Sequence, residues 1–390
     1  MDALKFSICK DAQDAREPYD TVLAPFNRAQ ARPVQLQDIP WNNYKPEITA
    51  MALHGQGVDV SQVGAPLVND LAAMNSLRLF SPKEIDSFGG ASAFVPVAWN
   101  TLNAAGNHYA VPWIVDPRAV LFWRDIFEEA GVDETTAFTS FENMEQAFDR
   151  LQQKGFQSPW AVGTANKLNT FQIACTWIWG LGGEIGQENQ ILFDQSEALE
   201  ALIRYFNLYR FMPQAGQNPE ATEVGKWFQE RKVAVILSGA SAAALHEVSP
   251  EIKVNLGVAL APGPIYVGGS SLVLWQNSPQ PEKAVELIRH LTTHETQLDF
   301  AIRAGLFPAR LSVLNEGYFK EDPYLSVFAK SVLEGRTYVN MRLSGLIEDM
   351  LSNAIGRVWS QIIADPRTEV RPILLRELEP IARRVRLWLE

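Results

Sequence analysis

Short apolar runs alternate with amphipathic segments along the N-terminal part of the chain. The apolar runs predict strands over Lys5–Cys9, Val34–Ile39 and Val58–Val63. Between them, apolar residues at steps of three and four predict helices over Pro18–Gln30 and Trp41–His54. This β-α-β-α-β order is typical of an α/β protein with a mostly parallel sheet and helices on both faces.

The loops beyond the carboxyl ends of such strands are where these sheets bind ligands. The segments after Cys9, Ile39 and Val63 are therefore candidate site loops. The alternation continues in weaker form through the rest of the chain. It predicts strands over Trp160–Gly163, Val233–Leu237, Leu256–Leu260 and Ser270–Trp275, and helices near 169–180, 196–211, 220–231 and 343–363.

The segment from 109 to 131, YAVPWIVDPRAVLFWRDIFEEAG, contains two apolar runs separated by a break. Proline restricts its own backbone and that of the preceding residue, so the Pro112-Trp113 and Asp116-Pro117 pairs predict an interruption of the first run. The second run begins at Val120 and leads into a helix.

Length and charge limit the class of protein. A chain of 390 residues is too long for one ordinary core, so two lobes are expected. Hydrophobic residues make up 47% of the chain and charged residues 20%, which excludes a mostly disordered protein. The net charge of −11 and the scattered basic residues argue against a nucleic-acid partner. One basic group, Arg383, Arg384 and Arg386, shares a helix with Glu377 and Glu379 and is interpreted as a solvated face.

The cysteines and the apolar runs bear on the compartment of the protein. Cys9 and Cys175 both lie in apolar surroundings and are expected to be buried reduced thiols, although a bridge between them stays open. No apolar run is long enough to predict a membrane span. The N-terminal segment lacks the features of a secretory signal, so we expect either a cytoplasmic protein or a mature form whose export signal has been removed.

One segment, VAVILSGASAAA, resembles the nucleophile elbow of α/β-hydrolases, with Ser241 as the nucleophile. The elbow requires a final glycine where Ala243 stands. The His54–Gly57 segment, which resembles an oxyanion loop, ends a predicted helix, so a helix C-cap explains its glycines. A serine hydrolase is therefore an alternative that the sequence does not favour.

The sequence predicts no metal and no cofactor. His290 and His294 have the spacing of a shared metal site on a helix, but no glutamate stands between them and both point away from the apolar face. The glycines of GLGGEIG at 180–186 follow no predicted strand and are interpreted as a loop.

Tryptophan is frequent, with eleven residues in the chain. Several of them stand at breaks or beside glycine-rich segments: Trp41, Trp113, Trp177 and Trp179. Indole faces stack on the C–H faces of sugar rings, while neighbouring polar groups bind the hydroxyls. Core packing is the alternative for each of them.

Five segments in this order resemble a known family: DVSQVGAPLVNDLAAMNSL, YAVPWIVDPRAVLFWRDIFEEAG, FTSFENMEQAFDRL, ERKVAVILSGA and VALAPGPIYVGGSSLVLWQNSPQPEKAVELIRHLTTHETQLDFAIRAGLFPAR. They are similar to the extracellular solute-binding proteins, family 1, of ABC importers, many of which bind sugars or oligosaccharides. The similarity runs through nearly the whole chain.

The resemblance implies an α/β fold with two lobes, the type II periplasmic-binding-protein-like fold, whose ligand cleft lies between lobes joined by hinge crossings. The N-terminal lobe would comprise residues 1–112 and 265–305, and the C-terminal lobe residues 117–257 and 311–390. The crossings would fall near 113–116, 258–264 and 306–310.

The resemblance also implies a set of ligand-binding residues. Trp113, Trp177 and Trp41 would stack on sugar rings, and Asp116, Gln62 and Arg310 would bind hydroxyls. The full set is Lys10, Asp11, Trp41, Gln62, Pro66, Trp113, Asp116, Asn166, Trp177, Trp179, Ser238, Gly239, Gly268, Gly269, Ser270 and Arg310.

As a function, the resemblance implies binding without turnover. A monomer would close on a neutral sugar by hinge rotation and present it to the permease subunits of an ABC importer. Its place would be the periplasm or the cell exterior, where a lipid anchor could hold it. A cytoplasmic sensor with the same fold and a binder of a non-sugar solute stay open as alternatives.

Overall fold

The computed structural model describes residues 2–10, 15–55, 57–100, 103–104, 107–187, 190–213, 218–239, 253–338 and 343–389. The chain forms two compact units. The first comprises residues 1–116, 267–321 and 342–345, and the second comprises residues 117–266, 322–341 and 346–390. The predicted lobes differ from these units chiefly at 311–321, which belong to the first unit. The hinge role of the crossings stays a prediction.

Fourteen strands occur in the described residues. In chain order they are β1 Lys5–Cys9, β2 Gln35–Ile39, β3 Val60–Gly64, β4 Asn103–Ala104, β5 Asn107–His108, β6 Ala110–Asp116, β7 Arg118–Trp123, β8 Trp160–Ala161, β9 Gly186–Gln187, β10 Gln190–Ile191, β11 Val235–Gly239, β12 Leu256–Ala259, β13 Gly268–Leu274 and β14 Phe307–Pro308.

Helices connect and cover the strands. The α-helices are Glu17–Arg28, Tyr44–His54, Ala65–Ala73, Pro82–Ser87, Pro96–Asn100, Arg124–Ala130, Phe141–Gln153, Lys167–Gly180, Ser196–Asn207, Ala221–Gln229, Pro281–Leu291, His294–Ala304, Leu311–Leu314, Gly317–Lys320, Leu325–Glu334, Ser344–Ala364 and Val370–Leu389. Short 3₁₀ turns occupy Trp41–Asn43, Ala91–Ala93 and Leu208–Phe211. Within the described ranges, no helix is both long enough and apolar enough to cross a membrane.

The first unit contains a six-stranded sheet in the order β14-β6-β13-β3-β1-β2. β1 pairs in parallel with β2 and β3, as the sequence predicts, whereas β13 and β14 run antiparallel to their neighbours. The register places Cys9 opposite Ile39, so β1 and β2 end at the same level. The loops that follow them therefore begin side by side.

The predicted break at Pro112 and Trp113 is wrong. β6 runs without interruption from Ala110 to Asp116. Proline has no N–H for the ladder, and the register of the neighbouring strand shifts between Ser270 and Ser271, beside Pro112. This irregularity accommodates the proline, so the strand continues to Asp116, the last residue of the first chain segment of this unit.

The second unit is built around a four-stranded sheet in the order β12-β7-β11-β8. β7 pairs antiparallel with both β11 and β12, while β11 and β8 are parallel. All side chains of β7 are buried, which explains the continuous apolar run that begins near Ala119.

The interpretation of His290 and His294 as two exposed residues of one helix is also wrong. The helix Pro281–Leu291 ends between them, and Thr293 caps a new helix by accepting the Thr296 N–H at 3.2 Å. His290 is half-buried, and its Nε2 lies 2.7 Å from the carbonyl oxygen of Val22.

Candidate functional site

In the first unit, polar side chains gather where β1 and β2 end. Lys10 directly follows β1, and its N–H donates to the carbonyl oxygen of Ile39 at 3.1 Å. The Lys10 Nζ lies 4.0 Å from Oδ2 of Asp38, and Arg16 Nη1 approaches the same oxygen at 3.3 Å. This edge of the sheet thus carries a carboxylate between two cations.

Trp41 lies next to this group on the short turn after β2, and 43% of its surface is exposed. Its ring is 5.6 Å from the ring of Tyr44. The Tyr44 side chain is buried, and its hydroxyl accepts the Gly64 N–H at 2.7 Å. The anchored Tyr44 supports an indole that still offers exposed apolar surface, as stacking on a sugar ring requires.

Gln62 was predicted to bind ligand hydroxyls, and in the structure its side chain forms hydrogen bonds between strands. Its side chain is buried in the sheet, where Oε1 accepts the Cys9 N–H at 3.0 Å. Its Nε2 lies 2.7 Å from Oγ of Ser270, which is buried as well. Gln62 and Ser270 therefore tie β1, β3 and β13 together, and their contact with a ligand stays a prediction.

Trp113 was predicted to stack on a sugar ring, and in this structure it has the position of a core residue. The side chain is completely buried in the first unit. Its ring lies 4.8 Å from that of Phe300 in a stacked arrangement and 5.8 Å from the rings of Phe6 and Tyr19. With aromatic neighbours on several sides, no indole surface remains for a ligand.

Arg310, predicted to bind hydroxyls, holds segments of the first unit together. Its Nη1 donates to the carbonyl oxygens of Phe88 at 3.2 Å and Thr292 at 2.6 Å. Its backbone N–H donates to Oε1 of Gln297 at 3.0 Å. Burial lowers the pKa of Arg310. These bonds assign its guanidinium to the structure of this unit.

The remaining predicted residues of the first unit lie at the end of β6, at the start of β13 and in the helix after β3. Asp116 ends β6 with an exposed side chain, opposite Gly268 of β13. Gly269 has a φ of +147°, and an added Cβ would lie 2.4 Å from the carbonyl oxygen of Ile114, so only glycine fits there. Pro66 is half-buried in the first turn of the helix after β3.

In the second unit, the predicted Trp177 is a core residue. It is buried, with its ring 5.0 Å from that of Tyr205 and 5.3 Å from that of Phe141. Trp179 is also buried, yet it belongs to a different group: the Arg336 guanidinium lies 5.1 Å from its ring centre. This packing places Trp177 in the core of the second unit, and its stacking role stays a prediction.

A buried cation near the start of β7 was missed by the sequence predictions. Arg118 is buried, and its Nη2 donates to Oε1 of Gln172 at 2.7 Å and to Oδ1 of Asn169 at 3.3 Å. Its Nη1 donates to the carbonyl oxygen of Tyr266 at 3.3 Å, and the guanidinium lies 5.4 Å from the Tyr266 ring centre. The signal in the sequence was a charged residue at the start of an otherwise apolar run.

Two predicted residues lie beside Arg118 in the strand pairing of the second unit, and a third caps the helix that contains Asn169. Ser238 and Gly239 end β11 opposite Ala119 and Arg118, and both are half-buried. Asn166 is exposed and caps the following helix, since its Oδ1 accepts the Asn169 N–H at 2.9 Å. This end of the sheet therefore combines accessible polar groups with a buried cation.

Buried ionisable groups surround Arg118. Burial and the charge of Glu348 raise the pKa of Cys175 well above its ordinary value. The same two causes raise the pKa of Tyr266, and burial likewise raises that of Tyr338. These groups stay neutral at physiological pH, so they offer hydrogen bonds and no charge.

A groove of about 1030 Å³ in the second unit lies elsewhere, along the helix Ser196–Asn207. None of the predicted ligand residues lines it. Its aromatic lining residues, Phe206 and Tyr209, are buried, so it presents no open ring face for a sugar. Two other predicted residues, Asp11 and Ser241, lie outside the described part of the chain.

A comparison with models of protein families identifies the family of the chain. The model of the bacterial extracellular solute-binding proteins matches residues 13–298, well over half of the chain. The chain belongs to this family. The predicted family is thus confirmed, and family and fold are those of binding proteins and not of enzymes.

Relatives of this solute-binding protein are distant in sequence. A binding protein of Brucella abortus is 22% identical over 332 residues, which cover 82% of this chain and 79% of that protein. A binding protein of Brucella suis matches with the same identity and coverage.

Solved structures confirm the predicted fold class of the solute-binding protein. An ABC transporter solute-binding protein from Thermotoga lettingae, bound with α-D-tagatose, matches with a TM-score of 0.82 at 20% identity, over 100% of both chains. The sugar-binding protein MalE from Xanthomonas citri matches with a TM-score of 0.82 at 21% identity, over 99% of both chains. Maltose-bound MalE3 of T. maritima has a TM-score of 0.82 at 19% identity, covering 99% of this chain and 100% of that chain.

Proposed function

We propose that this solute-binding protein binds a neutral sugar or short oligosaccharide without turnover and delivers it to the permease subunits of an ABC importer. The family supplies the class of function. The observation that carries the choice of a sugar is the exposed indole of Trp41, which is supported by Tyr44 and follows the β2 strand that carries Asp38, the partner of Lys10. Such a ring face with adjacent donors and acceptors matches a sugar, whose apolar C–H face is bordered by hydroxyls.

The polar groups of each unit can form hydrogen bonds with the hydroxyls of a sugar. In the first unit, Asp38 can accept hydrogen bonds, and Lys10 and Arg16 can donate them. In the second unit, the accessible groups at the end of β11 and at Asn166 are neutral.

Binding without chemistry is also part of the proposal. Hydrolysis of a sugar bond needs two carboxyl groups placed on either side of it, one of them with a raised pKa. In the group around Trp41, the Asp38 carboxylate is paired with two cations. This arrangement supports recognition of a ligand.

The compartment and the partners follow from the proposed role. The similarity to the MalE proteins supports delivery to membrane permease subunits from the periplasm or the cell exterior. We propose a monomer with no nucleic-acid partner, in keeping with the net charge of −11.

A ligand panel tests the proposed function. Thermal melts and intrinsic tryptophan fluorescence would be recorded with mono-, di- and trisaccharides, polyols, amino acids and short peptides. A ligand that binds only the folded state raises the melting temperature, and stacking on Trp41 shifts its emission. We expect a saturable response to one class of sugar. A response to amino acids or peptides alone would overturn the choice of sugar and leave the family assignment intact.

A further inference from the structure

The outer face of the C-terminal helix, Val370–Leu389, differs in charge from the rest of the chain. The helix contains five arginines and two glutamates, a net charge of +3, whereas the whole chain carries −11. One glutamate, Glu377, is paired with Arg357 at 2.6 Å. The basic residues of this helix are therefore concentrated in a protein that is otherwise acidic.

Two of the five arginines are neutralised by carboxylates of the second unit. Arg371 pairs with Glu200, and Arg386 pairs with Asp194 at 2.7 Å. A third, Arg376, donates to the neutral side-chain amide of Gln361. These contacts leave the charge of Arg376 without a carboxylate.

Arg383 and Arg384 complete the unneutralised group. Both are exposed, and neither makes an ion pair or a hydrogen bond with any described residue. Residues 376, 380, 383, 384 and 387 recur at steps of three and four, so they lie on one face of the helix. The opposite face, with Ile381 and Val385, is buried in the second unit.

The helix face that carries Arg376, Arg383 and Arg384 ends in exposed apolar surface. Leu387 is 66% exposed and Trp388 is 37% exposed. Tryptophan and leucine beside arginine are the combination with which a helix lies in the headgroup region of a membrane. A binder of nucleic-acid phosphates would need no exposed leucine, and three cations make a small footprint for it.

We propose that this stripe, Arg376, Arg383, Arg384, Leu387 and Trp388, binds the surface of an anionic lipid bilayer. The arginines contact the phosphates, and the leucine and the indole enter the headgroup region. The negative charge of the remaining chain does not prevent this, because salt screens charges beyond about 10 Å at 0.1 M ionic strength. The proposal is independent of the nature of the solute.

Vesicle co-sedimentation of the full chain tests the proposal. Vesicles of phosphatidylcholine alone are compared with vesicles that also contain phosphatidylglycerol, at low and at high salt. We expect binding only to the anionic vesicles, with a blue shift of tryptophan emission, and loss of binding at high salt. No binding of the wild-type chain to anionic vesicles would overturn the proposal.

Charge-reversal variants identify the surface that binds the vesicles. Arg383→Glu/Arg384→Glu should lower the vesicle partition coefficient by about tenfold or more, since each arginine contributes separately. The control, Arg28→Glu/Arg32→Glu, makes the same change in net charge at two exposed residues of the first unit and should bind as the wild type does. Equal losses in the two double variants would contradict a local site.

Leu387→Ser separates lipid binding from adsorption to any polyanion. It removes exposed apolar surface without a change of charge, so the fold should tolerate it, as an unchanged melting temperature would verify. The proposal predicts a partition coefficient several-fold lower than that of the wild type. Unchanged binding by Leu387→Ser would show that charge alone acts and would overturn insertion into a bilayer.

Discussion

The buried Arg118 and the half-buried Gln172 form a hydrogen bond, with Nη2 of the arginine 2.7 Å from Oε1 of the glutamine. This bond joins the first residue of β7 to the helix Lys167–Gly180. The same guanidinium also reaches Asn169 and the carbonyl oxygen of Tyr266. One side chain therefore connects three segments that stand far apart in the sequence.

Replacing Arg118 should destabilise the second unit. Arg118→Ala leaves the buried carbonyl oxygen of Tyr266 and the half-buried acceptors of Gln172 and Asn169 without their donor, at about 1–3 kcal/mol for an unsatisfied buried group and less for a half-buried one. We expect the free energy of unfolding to fall by about 2 kcal/mol or more in urea titrations. Arg118→Lys keeps the charge but loses the planar fork, so it should recover only part of this stability.

A surface arginine provides the control for Arg118. Arg367 is 91% exposed and pairs with Asp365 at 3.1 Å. Arg367→Ala should change the free energy of unfolding far less than Arg118→Ala does, because solvent screens an exposed ion pair. Similar losses for the two variants would contradict the structural role of Arg118.

Trp113 should matter for stability and not for the ligand. Trp113→Phe leaves a small cavity beside Phe300 and should lower the free energy of unfolding by about 1–3 kcal/mol. The affinity of the folded variant for its solute should match that of the wild type, because the ring has no exposed surface. A large loss of affinity at unchanged stability would restore the stacking role that the sequence suggested.

Glu84 should make stability sensitive to acid. Burial alone would raise its pKa, but hydrogen bonds from Arg78 and Ser81 outweigh it and hold the pKa below the ordinary value of 4.5. A lowered folded-state pKa stabilises the protein above the unfolded value, and this stability is lost as the pH falls through the folded value. The wild type should therefore exceed Glu84→Gln in stability at pH 6 to 7 by about 1 kcal/mol or less.

The difference between the wild type and Glu84→Gln should vanish when thermal melts are repeated at pH 3 to 2. Asp86→Asn, on the exposed side of the same short helix, is the control and should show little pH-dependent difference. A Glu84→Gln difference that persists at low pH would contradict the ionic origin of the effect.

Both cysteine thiols should be unreactive in the folded protein. Burial raises the pKa of Cys9 to about 12, with a contribution from the charge of Glu47, and burial and Glu348 raise that of Cys175 further. The thiolate is the reactive form. We expect a thiol reagent at pH 8 to label neither residue before unfolding and both after it. The exposed position of Ser92→Cys should react at once and serves as the control, and rapid labelling of the wild type would contradict the burial.

Much of the fold was predictable because it depends on local patterns. The strands at Lys5–Cys9 and Val60–Gly64 and the helix Tyr44–His54 occur where apolar periodicity placed them. The continuity of β6 was not predictable, since it rests on an irregularity opposite Pro112 in a strand more than a hundred residues later. The spacing of apolar residues within a strand does not show which distant segment of the chain it pairs with.

The site was harder to predict than the fold. Trp41 and Trp113 both stand near the ends of predicted strands, yet one is exposed and the other is enclosed by Phe6, Tyr19 and Phe300. Only the tertiary packing of those rings separates a core tryptophan from a surface one. A break between His290 and His294, in contrast, could have been found from the capping pattern that begins at Thr293.

Isothermal titration with the sugar that gives the strongest response in the panel decides whether Trp41 belongs to a sugar site. We expect Trp41→Ala to lose about tenfold or more in affinity, from the loss of a stacking contact, while Trp388→Ala, the exposed control, binds as the wild type does. Equal affinity of Trp41→Ala and the wild type for that sugar would show that Trp41 is not part of the sugar site.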